Sequence, residues 1–386
     1  MQKPGAGQGG CLLRTYRRRK EKPQGVHSSG RVVVVKVSFF RSRHVLLAVV
    51  LAALTLIVLV IYAQACHNSS AMQSSGSVQL GTAVAVEPLR DDELYTQILR
   101  SEFEVLTAED AMKFGSLQPS RGRYDFSSAD AIVSFAEANN MQVRGHTLVW
   151  HMQLPSWLED GNFTRDELIA ILKEHITTVV EHYRGRVSAW DVVNEAVDDD
   201  GSLKDTIWLR GIGPEYIDMA FRWAHEADPQ AKLFYNDYGG EGLGRKPQAI
   251  YTLVQDLRER NIPIHGVGLQ MHVSVEDHPA PWSVALNMAL LATLGLEVDI
   301  TEMDVQLQDG SGTMEERLAA QARVYNDMAV VCRRSSACKR FIIWGVTDRY
   351  SWIRNAVNEQ DMPLLFDEFY QPKPAYQAVE EALGSQ

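Results

Sequence analysis

From Leu80 onward, short apolar runs alternate with longer stretches in which apolar residues recur every three or four positions. Short apolar runs are typical of buried strands, and the longer periodic stretches are typical of helices. The predicted strands are Gly81–Val86, Val105–Ala108, Gln142–Trp150, Val187–Glu195, Lys232–Asn236, Gly266–His272, Glu297–Glu302 and Phe341–Val346. The predicted helices include Ala129–Asn139, Arg165–Tyr183, Pro214–Ala227, Pro247–Arg260 and Met314–Cys332. This alternation predicts an α/β fold with a parallel sheet.

Eight such strands can form an open sheet or close into a (β/α)8 TIM barrel. None of them is followed by G-x-G-x-x-G or G-x-x-x-x-G-K, the sequences that hold nucleotide phosphates on open sheets. Polar and aromatic side chains instead gather where the strands end, as they do at the functional face of a barrel. They are Asn194, Glu195, Asn236, Asp237, Gln270, His272, Glu302, Asp304 and Trp344. The pattern therefore predicts a (β/α)8 barrel over residues 80–386.

A different pattern precedes the predicted barrel. Val45–Ala63 is 19 residues long and carries no charge, and as a helix it would span about 28 Å, close to the thickness of a bilayer core. Residues 1–44 contain eleven Lys or Arg and one acidic residue, so the positive-inside rule keeps them cytoplasmic. We therefore expect a basic cytoplasmic tail (1–44), a transmembrane signal anchor (45–65), a Ser-rich tether (66–79) and an exported catalytic barrel (80–386).

The end of the apolar segment leaves a second localisation open. Ala63, Gln64 and Ala65 resemble an A-x-A cleavage site, and Cys66 follows them as in a lipoprotein junction. Cleavage near Ala65 would give a secreted protein or a lipoprotein. The lead before the segment is far longer than that of an ordinary signal peptide. We therefore expect an uncleaved single-pass anchor with the catalytic domain outside the cytoplasm.

The distribution of charge excludes one class of partner. Of the 38 basic and 49 acidic residues, 27 and 48 lie after residue 44, which gives that part a net charge of −21. An acidic body repels the phosphates of nucleic acid. We therefore expect no nucleic acid partner and a neutral or cationic substrate. We expect the catalytic domain to act as a monomer.

The four cysteines, Cys11, Cys66, Cys332 and Cys338, match no zinc-ligand spacing. We therefore expect neither a metal nor another cofactor. Spacing alone leaves two interpretations of Cys332 and Cys338. They could be two free thiols, or they could close a small disulfide loop in an oxidising, exported location.

Two glutamates at strand ends are the candidates for chemistry. In LEVDITEMDV (296–305), Val298, Ile300 and Glu302 share one strand parity, and we expect an inward apolar row that ends in Glu302. In WDVVNEAV (190–197), Glu195 likewise follows an apolar strand and stands beside Asn194. Two carboxyl groups at one mouth are what glycoside cleavage needs, because one attacks the anomeric carbon and the other protonates the leaving oxygen.

Other side chains near strand ends are candidates for sugar binding. His146 and Trp150 in GHTLVWH share parity and are expected to reach the same mouth. His151 has the opposite parity to His146, which argues against a metal pair. Trp344 and Trp352 in WGVTDRYSW could stack on pyranose rings. Taken singly, each of these residues is also compatible with a structural role.

In order along the chain, these segments resemble glycoside hydrolase family 10, the retaining β-1,4-xylanases built on a (β/α)8 barrel. The matching segments are TAEDAMKF (107–114), RGHTLVWHMQLPSW (144–157), WDVVNEAV (190–197), LFYNDYG (233–239), GVGLQMH (266–272), DITEMD (299–304) and FIIWGVTDRYSW (341–352). The resemblance implies that Glu195 is the acid/base and Glu302 the nucleophile in the endo-hydrolysis of xylan or xylo-oligosaccharides. It implies sugar-binding positions at Glu109, Asp110, Lys113, His146, Trp150, Gln153, Asn194, Gln270, His272, Trp344 and Trp352.

The resemblance also implies two supporting features, and this chain departs from the family pattern at a few positions. Asp304 is expected to support the nucleophile as the partner of His272. The family often pairs two cysteines before the last strand, so the resemblance implies a disulfide between Cys332 and Cys338. Asp110 stands where the family usually has Asn, and Phe114 stands where it usually has Trp. These departures leave open the affinity and pH dependence of the subsite distal to the cleavage point, and neither touches the two catalytic glutamates.

Two rival functions are compatible with the same barrel. A related hydrolase that acts on cellulose or mannan also uses an N-E acid/base, although the flanking motifs favour xylan. An inactive barrel could serve as a surface glycan-binding protein. Retention of Glu195, Glu302, Asn194 and His272 argues against that inactive form.

Overall fold

The computed structural model describes residues 77–356 and 360–384. The strands in this part of the chain are β1 (Gln79–Val84), β2 (Val105–Ala108), β3 (Gln142–Val149), β4 (Ala189–Asn194), β5 (Lys232–Asp237), β6 (Gly266–Leu269), β7 (His272–Ser274), β8 (Glu297–Gln306) and β9 (Arg340–Ile343). All the pairings are parallel, and the sheet closes because β6 also pairs with β8, and β9 pairs with β1. The short strand β7 extends the pairing of β8. The predicted (β/α)8 barrel is therefore confirmed.

The helices follow the strands and cover the outside of the barrel, as in other barrels of this type. The five predicted helices are present, with ends shifted by at most two residues, as Ser127–Ala138, Arg165–His182, Tyr216–Ala227, Arg245–Glu259 and Met314–Arg334. The other α-helices in the described residues are Val86–Asp91, Glu93–Glu102, Phe114–Leu117, Ser156–Glu159, Ile207–Ile212, Pro281–Ala292, Trp352–Ala356 and Pro374–Leu383, and Asp348–Tyr350 is a 3-10 helix.

Two of the predicted helix starts have a clear local cause. Thr164 accepts the backbone N–H of Glu167, whose side chain accepts the N–H of Thr164 in return. Thr313 and Glu316 form the same reciprocal pair at the start of Met314–Arg334. Such a capping box satisfies backbone donors that have no partner within the helix.

The helix Pro281–Ala292 had no clear periodic signal. Residues 281–296 contain no charged side chain. In addition, Trp282, Leu286 and Leu290 are exposed on the outer face of this helix. An amphipathic pattern needs a polar outer face, so the usual contrast between the two faces is missing here.

The predicted strand Gly266–His272 is in fact two strands. β6 ends at Leu269 and β7 begins at His272. Between them, Met271 has a φ of 67°, and its backbone N–H donates to the Glu241 carboxylate at 3.0 Å. A left-handed residue interrupts the extended backbone, so the single predicted strand was wrong. The other predicted strand ends differ from the observed ones by up to four residues, which is the difference at the end of β8.

The apolar row predicted on β8 does not face the barrel interior. Asp299 and Thr301 point inward instead, where they contact side chains of β3 and β5. Val298 and Ile300 alternate with them and therefore lie on the opposite face of the strand. Glu302 still reaches the mouth because the register of β8 against β9 is irregular beyond Ile300. The predicted shared orientation of these three residues was therefore wrong.

A cluster of buried charged side chains lies in the barrel interior. Arg144 on β3 is 0% exposed and contacts Asp191 on β4 (Nε to Oδ2, 3.1 Å) and Asp299 on β8 (Nη1 to Oδ2, 3.3 Å). Arg340 on β9 donates to Asp299 at 2.9 Å. The ring of Phe234 on β5 lies 4.4 Å from the Arg144 guanidinium carbon. Buried charges need partners of opposite sign, and here the ion pairs connect four strands, β3, β4, β8 and β9.

Cys332 and Cys338 form a disulfide, with their Cα atoms 5.2 Å apart. Cys332 lies in the last turn of the helix Met314–Arg334, and Cys338 lies two residues before β9. The pairing implied by the resemblance is therefore present in the structure. It joins the helix to the segment that leads into the last strand.

The predicted cytoplasmic tail and the anchor segment lie outside the described residues. Within residues 77–356 and 360–384, no helix combines the length and apolar character that a bilayer span requires. β1 begins at Gln79, one residue before the predicted start of the catalytic barrel.

The charge cluster leads to a prediction about stability. We expect Arg144→Met to lower the free energy of unfolding by about 3–5 kcal/mol, because it leaves two buried carboxylates without their common cation. Urea unfolding followed by Trp fluorescence measures the change. The control is Arg210→Met, whose ion pair with Asp205 is largely exposed and should contribute little. Equal losses in the two variants would contradict the importance of the interior cluster.

Candidate active site

A cavity of about 740 Å³ opens at the carboxyl ends of the strands, within the range expected of small-molecule sites. It brings together all the residues predicted to be catalytic or to bind sugar. They are Glu109, Asp110, Lys113, His146, Trp150, Gln153, Asn194, Glu195, Gln270, His272, Glu302, Trp344 and Trp352. Asp304 is not part of the lining and contacts His272 from behind.

Several residues of the lining were not among the site residues predicted from the sequence. They are Met152, Tyr238, Gly239, Glu241, Val273, Asp277, His278 and Pro279. Tyr238, Gly239 and Glu241 follow directly after β5, so the rule that function gathers after strand ends could have found them. Residues 277–279 lie in the loop after β7, and no pattern in the sequence marks that loop.

Two amide residues connect the glutamates to each other. Asn236, on β5, donates from Nδ2 to Glu302 Oε1 at 2.6 Å, and its backbone oxygen accepts the N–H of Glu195 at 2.9 Å. Gln270, after β6, donates from Nε2 to Glu195 Oε1 at 3.1 Å, and its backbone oxygen accepts the N–H of Glu302 at 3.0 Å. Each amide residue thus holds the backbone of one glutamate and the carboxylate of the other. The relative position of the two carboxyl groups is therefore restrained from both sides.

Asn194 completes this network of amides. Its Oδ1 accepts from Asn236 Nδ2 at 2.8 Å and from Gln270 Nε2 at 3.3 Å, and its Nδ2 donates to Glu195 Oε1 at 3.3 Å. The hydroxyl of Thr301 donates to the side-chain oxygen of Asn236, Oδ1, at 2.7 Å. Fully partnered polar networks are rigid, because every rotation would leave a buried group without a partner.

The surroundings of Glu302 favour its ionised form. His272 Nε2 lies 3.3 Å from Glu302 Oε2, and His146 Nδ1 lies 3.8 Å from Oε1. Burial raises the pKa of Glu302, but the charges of His146, His272 and Lys113 and the hydrogen bond from His272 outweigh it and hold the pKa below its usual value. Glu302 is therefore a carboxylate at neutral pH, the form that can attack an anomeric carbon.

Asp304 orients His272 from the side opposite Glu302. Its Oδ2 lies 2.8 Å from His272 Nδ1 and accepts from Trp352 Nε1 at 2.8 Å. Burial lowers the pKa of His272, but the carboxylates of Asp304 and Glu302 raise it well above the usual value. His272 is therefore protonated and donates to a carboxylate on each side. This geometry fits the supporting role that the resemblance implies for Asp304.

A cation and two indole rings lie together at another part of the cavity. Lys113 Nζ lies 4.6 Å from the centre of the Trp150 ring and 6.0 Å from that of Trp344. The Trp344 ring also meets the His146 imidazole edge to face, with centres 5.2 Å apart. Aromatic faces beside hydrogen-bond donors suit a pyranose ring, which has apolar faces and a polar edge.

Glu109 and Asp110 make one region of the cavity acidic. Burial raises the pKa of Glu109 to about 8, and the neighbouring charge of Asp110 adds to this shift. Glu109 is therefore mostly protonated at neutral pH and can donate a hydrogen bond. Asp110 Oδ1 accepts from Gln153 Nε2 at 3.0 Å and lies 3.8 Å from Lys113 Nζ. The carboxylate that departs from the usual family pattern is thus held in the site by two neighbours.

The sequence profile of glycosyl hydrolase family 10 matches residues 68–382. The chain belongs to glycosyl hydrolase family 10. The family and the enzyme class predicted from the motifs are thereby confirmed. The match begins before β1 and reaches into the last helix, Pro374–Leu383, so it covers the whole family 10 barrel.

Named relatives in family 10 agree with this membership. Endo-1,4-beta-xylanase B of Thermotoga neapolitana is 44% identical over 295 residues, which cover 76% of this chain and 85% of that protein. Xylanase 10B of Thermotoga petrophila, solved in complex with xylobiose, is 43% identical with a TM-score of 0.77, over 80% of this chain and 94% of that one. Exoglucanase XynX of Acetivibrio thermocellus is 41% identical over 313 residues, which are 78% of this chain and 28% of that protein.

The charges around Glu302 lead to a prediction about pH. His272→Gln removes a cation that lowers the pKa of Glu302, so that pKa should rise. We expect the acid limb of the kcat/KM profile on xylo-oligosaccharides to move to higher pH by on the order of 1 unit. The control is His278→Gln, because His278 also lines the cavity but contacts the backbone oxygen of Ser274 rather than Glu302. Identical acid limbs in wild type and His272→Gln would contradict the proposed source of the shift.

Proposed function

We propose that this protein is a retaining endo-1,4-β-xylanase in which Glu302 is the nucleophile and Glu195 the acid/base. The observation that carries the proposal is the pair of cavity-lining glutamates joined by Asn236 and Gln270. One member of the pair is surrounded by cations, whereas the other is contacted by neutral amides. Retaining glycosidases need this difference, because the two carboxyl groups must begin the reaction in different protonation states.

The first step of the proposed reaction forms a glycosyl-enzyme. Glu302 attacks the anomeric carbon while Glu195 transfers its proton to the glycosidic oxygen of the departing chain. The bond between C1 and that oxygen breaks, and an ester bond between C1 and Glu302 forms. Asn194 and the cationic His272 lie beside the reacting carboxylates, where their N–H groups can stabilise charge that develops in the transition state.

The second step releases the sugar. Glu195, now a carboxylate, takes a proton from water as the water oxygen attacks C1 from the side the first product has left. The ester to Glu302 breaks, so Glu302 is again ionised and Glu195 again carries a proton. Two inversions at C1 give net retention of the β configuration.

The choice of xylan rests on the family 10 motifs and on the activities after which the relatives are named. Relatives named endo-1,4-beta-xylanase and a neighbour bound to xylobiose support it. A relative named exoglucanase, at 41% identity, supports cellulose as the second candidate substrate.

Reducing-sugar release by the full chain tests both the substrate and the two roles. We expect turnover of xylan that exceeds turnover of carboxymethyl-cellulose and mannan. Glu302→Ala and Glu195→Ala should each lower xylan turnover by at least about 10³-fold, because each removes a group required in both steps. Faster turnover of carboxymethyl-cellulose than of xylan would show that cellulose is the substrate. Xylan turnover that survives Glu302→Ala would overturn the mechanism.

We also propose that residues 45–63 anchor the protein in a membrane with the catalytic domain outside the cytoplasm. The uncharged run of 19 residues and the eleven basic residues before it support this topology.

Alkaline carbonate extraction of membranes tests the anchor. We expect the full chain to remain in the membrane pellet and a variant without residues 45–63 to become soluble. A released wild-type protein whose first residue lies near Cys66 would instead support cleavage and secretion.

A further inference from the structure

The backbone that carries Glu195 adopts a conformation that needs support. Glu195 has a φ of 55°, in the left-handed region, where a residue other than Gly costs on the order of 1–3 kcal/mol. Its own N–H is held by Asn236, as described above. The next two N–H groups, of Ala196 and Val197, both donate to the hydroxyl of Tyr235, at 3.1 and 3.2 Å.

Tyr235 belongs to a buried chain of polar groups outside the cavity lining. Its hydroxyl donates to Asp237 Oδ2, which also accepts the N–H of Val197 at 3.4 Å. The other oxygen of Asp237 lies 3.0 Å from Lys246 Nζ. Tyr235, Asp237 and Lys246 are all buried, and none of them lines the cavity.

Lys246 is the outer end of this chain. It is the second residue of the helix Arg245–Glu259. Its Nζ also lies 3.4 Å from Asp199 and 3.2 Å from the centre of the Tyr238 ring. Burial raises the pKa of Asp237 to about 7 although Lys246 lowers it, and the charge of Glu195 raises it further.

We propose that Tyr235, Asp237 and Lys246 are positioning residues that hold the acid/base Glu195 in place for proton transfer. The inference deepens the proposed function and rests on it, because it needs Glu195 to be the proton donor. Asn236 and Gln270 bind the glutamate carboxylates, whereas Tyr235 and Asp237 accept N–H groups of the turn after Glu195. Lys246 contacts Asp237 and so acts through it. The hydroxyl of Tyr235 is the only group of the three that contacts both N–H groups of that turn, so its loss should have the most specific effect.

The effect of a misplaced proton donor depends on the leaving group. A phenolate of ordinary basicity must be protonated as it departs, whereas 2,4-dinitrophenolate leaves without a proton. Attack by Glu302 on C1 is common to both. A change that disturbs only Glu195 therefore slows the release of ordinary phenolate and spares the release of 2,4-dinitrophenolate. General damage to the site slows the release of both leaving groups.

The experiment measures the first step with phenyl and 2,4-dinitrophenyl β-xylobiosides, using the full chain. The variants are Tyr235→Phe and Asp237→Asn, which keep the shape of each side chain. We expect each to slow cleavage of the phenyl glycoside by about 10–100-fold and to leave the dinitrophenolate burst rate within about threefold of wild type. The burst amplitude counts working sites and so corrects for any misfolded fraction. Azide, which attacks C1 without a general base, should accelerate the second step in both variants.

The control is Lys373→Met, which breaks another buried ion pair, with Asp348 at 2.8 Å. Neither residue lines the cavity, so this variant should affect the two glycosides equally. Equal effects of Tyr235→Phe and Asp237→Asn on the two glycosides, or no effect on either, would overturn the inference. Glu195→Ala separates the acid/base role of Glu195 from the positioning role of the other three residues. If Glu195→Ala slows the release of both leaving groups equally, the proposed acid/base role itself is wrong.

Discussion

The hydrogen bonds that cross the barrel mouth from strand to strand fix the positions of the two glutamates, and the rest of the site depends on them. Asn194 is the register partner of Asn236, and Asn236 is the partner of Gly268 on the next strand. A Cβ atom at Gly268 would lie 2.1 Å from Asn236 Oδ1, so only glycine leaves room for this amide. Because Asn236 then reaches both glutamates, the register of three strands sets the geometry of catalysis.

The buried charges that stabilise the fold contact the charged groups that keep the nucleophile Glu302 ionised. Asp191 accepts from Arg144 in the barrel interior and also contacts His146 Nδ1 at 3.0 Å. His146 in turn lies next to Glu302. Burial raises the pKa of Asp191, but Arg144 and His146 outweigh it, so the pKa is lowered and Asp191 stays ionised. The same carboxylate therefore balances a structural cation below the site and orients an imidazole within it.

The parts of this structure that could be predicted are those encoded locally. Strand ends rich in polar residues indicated the barrel mouth, and the segments around Glu195 and Glu302 indicated the chemistry. The orientation of β8 could not be predicted, because it depends on Asp299 pairing with Arg144, 155 residues earlier in the chain. The break at Met271 likewise depends on Glu241, from the loop after β5. Contacts between distant residues decide such details, and a pattern of neighbouring residues does not contain them.

The most direct test of the account is to trap the covalent intermediate. A 2-deoxy-2-fluoro-β-xylobioside with a good leaving group slows both steps but slows the second more, so a glycosyl-enzyme should accumulate. Mass spectrometry of the intact protein and its peptides should find one fluorinated disaccharide, attached to Glu302, and none on Glu302→Ala. Full inactivation with the label on another residue, or turnover with no covalent adduct and inverted product, would contradict the double displacement derived from this site.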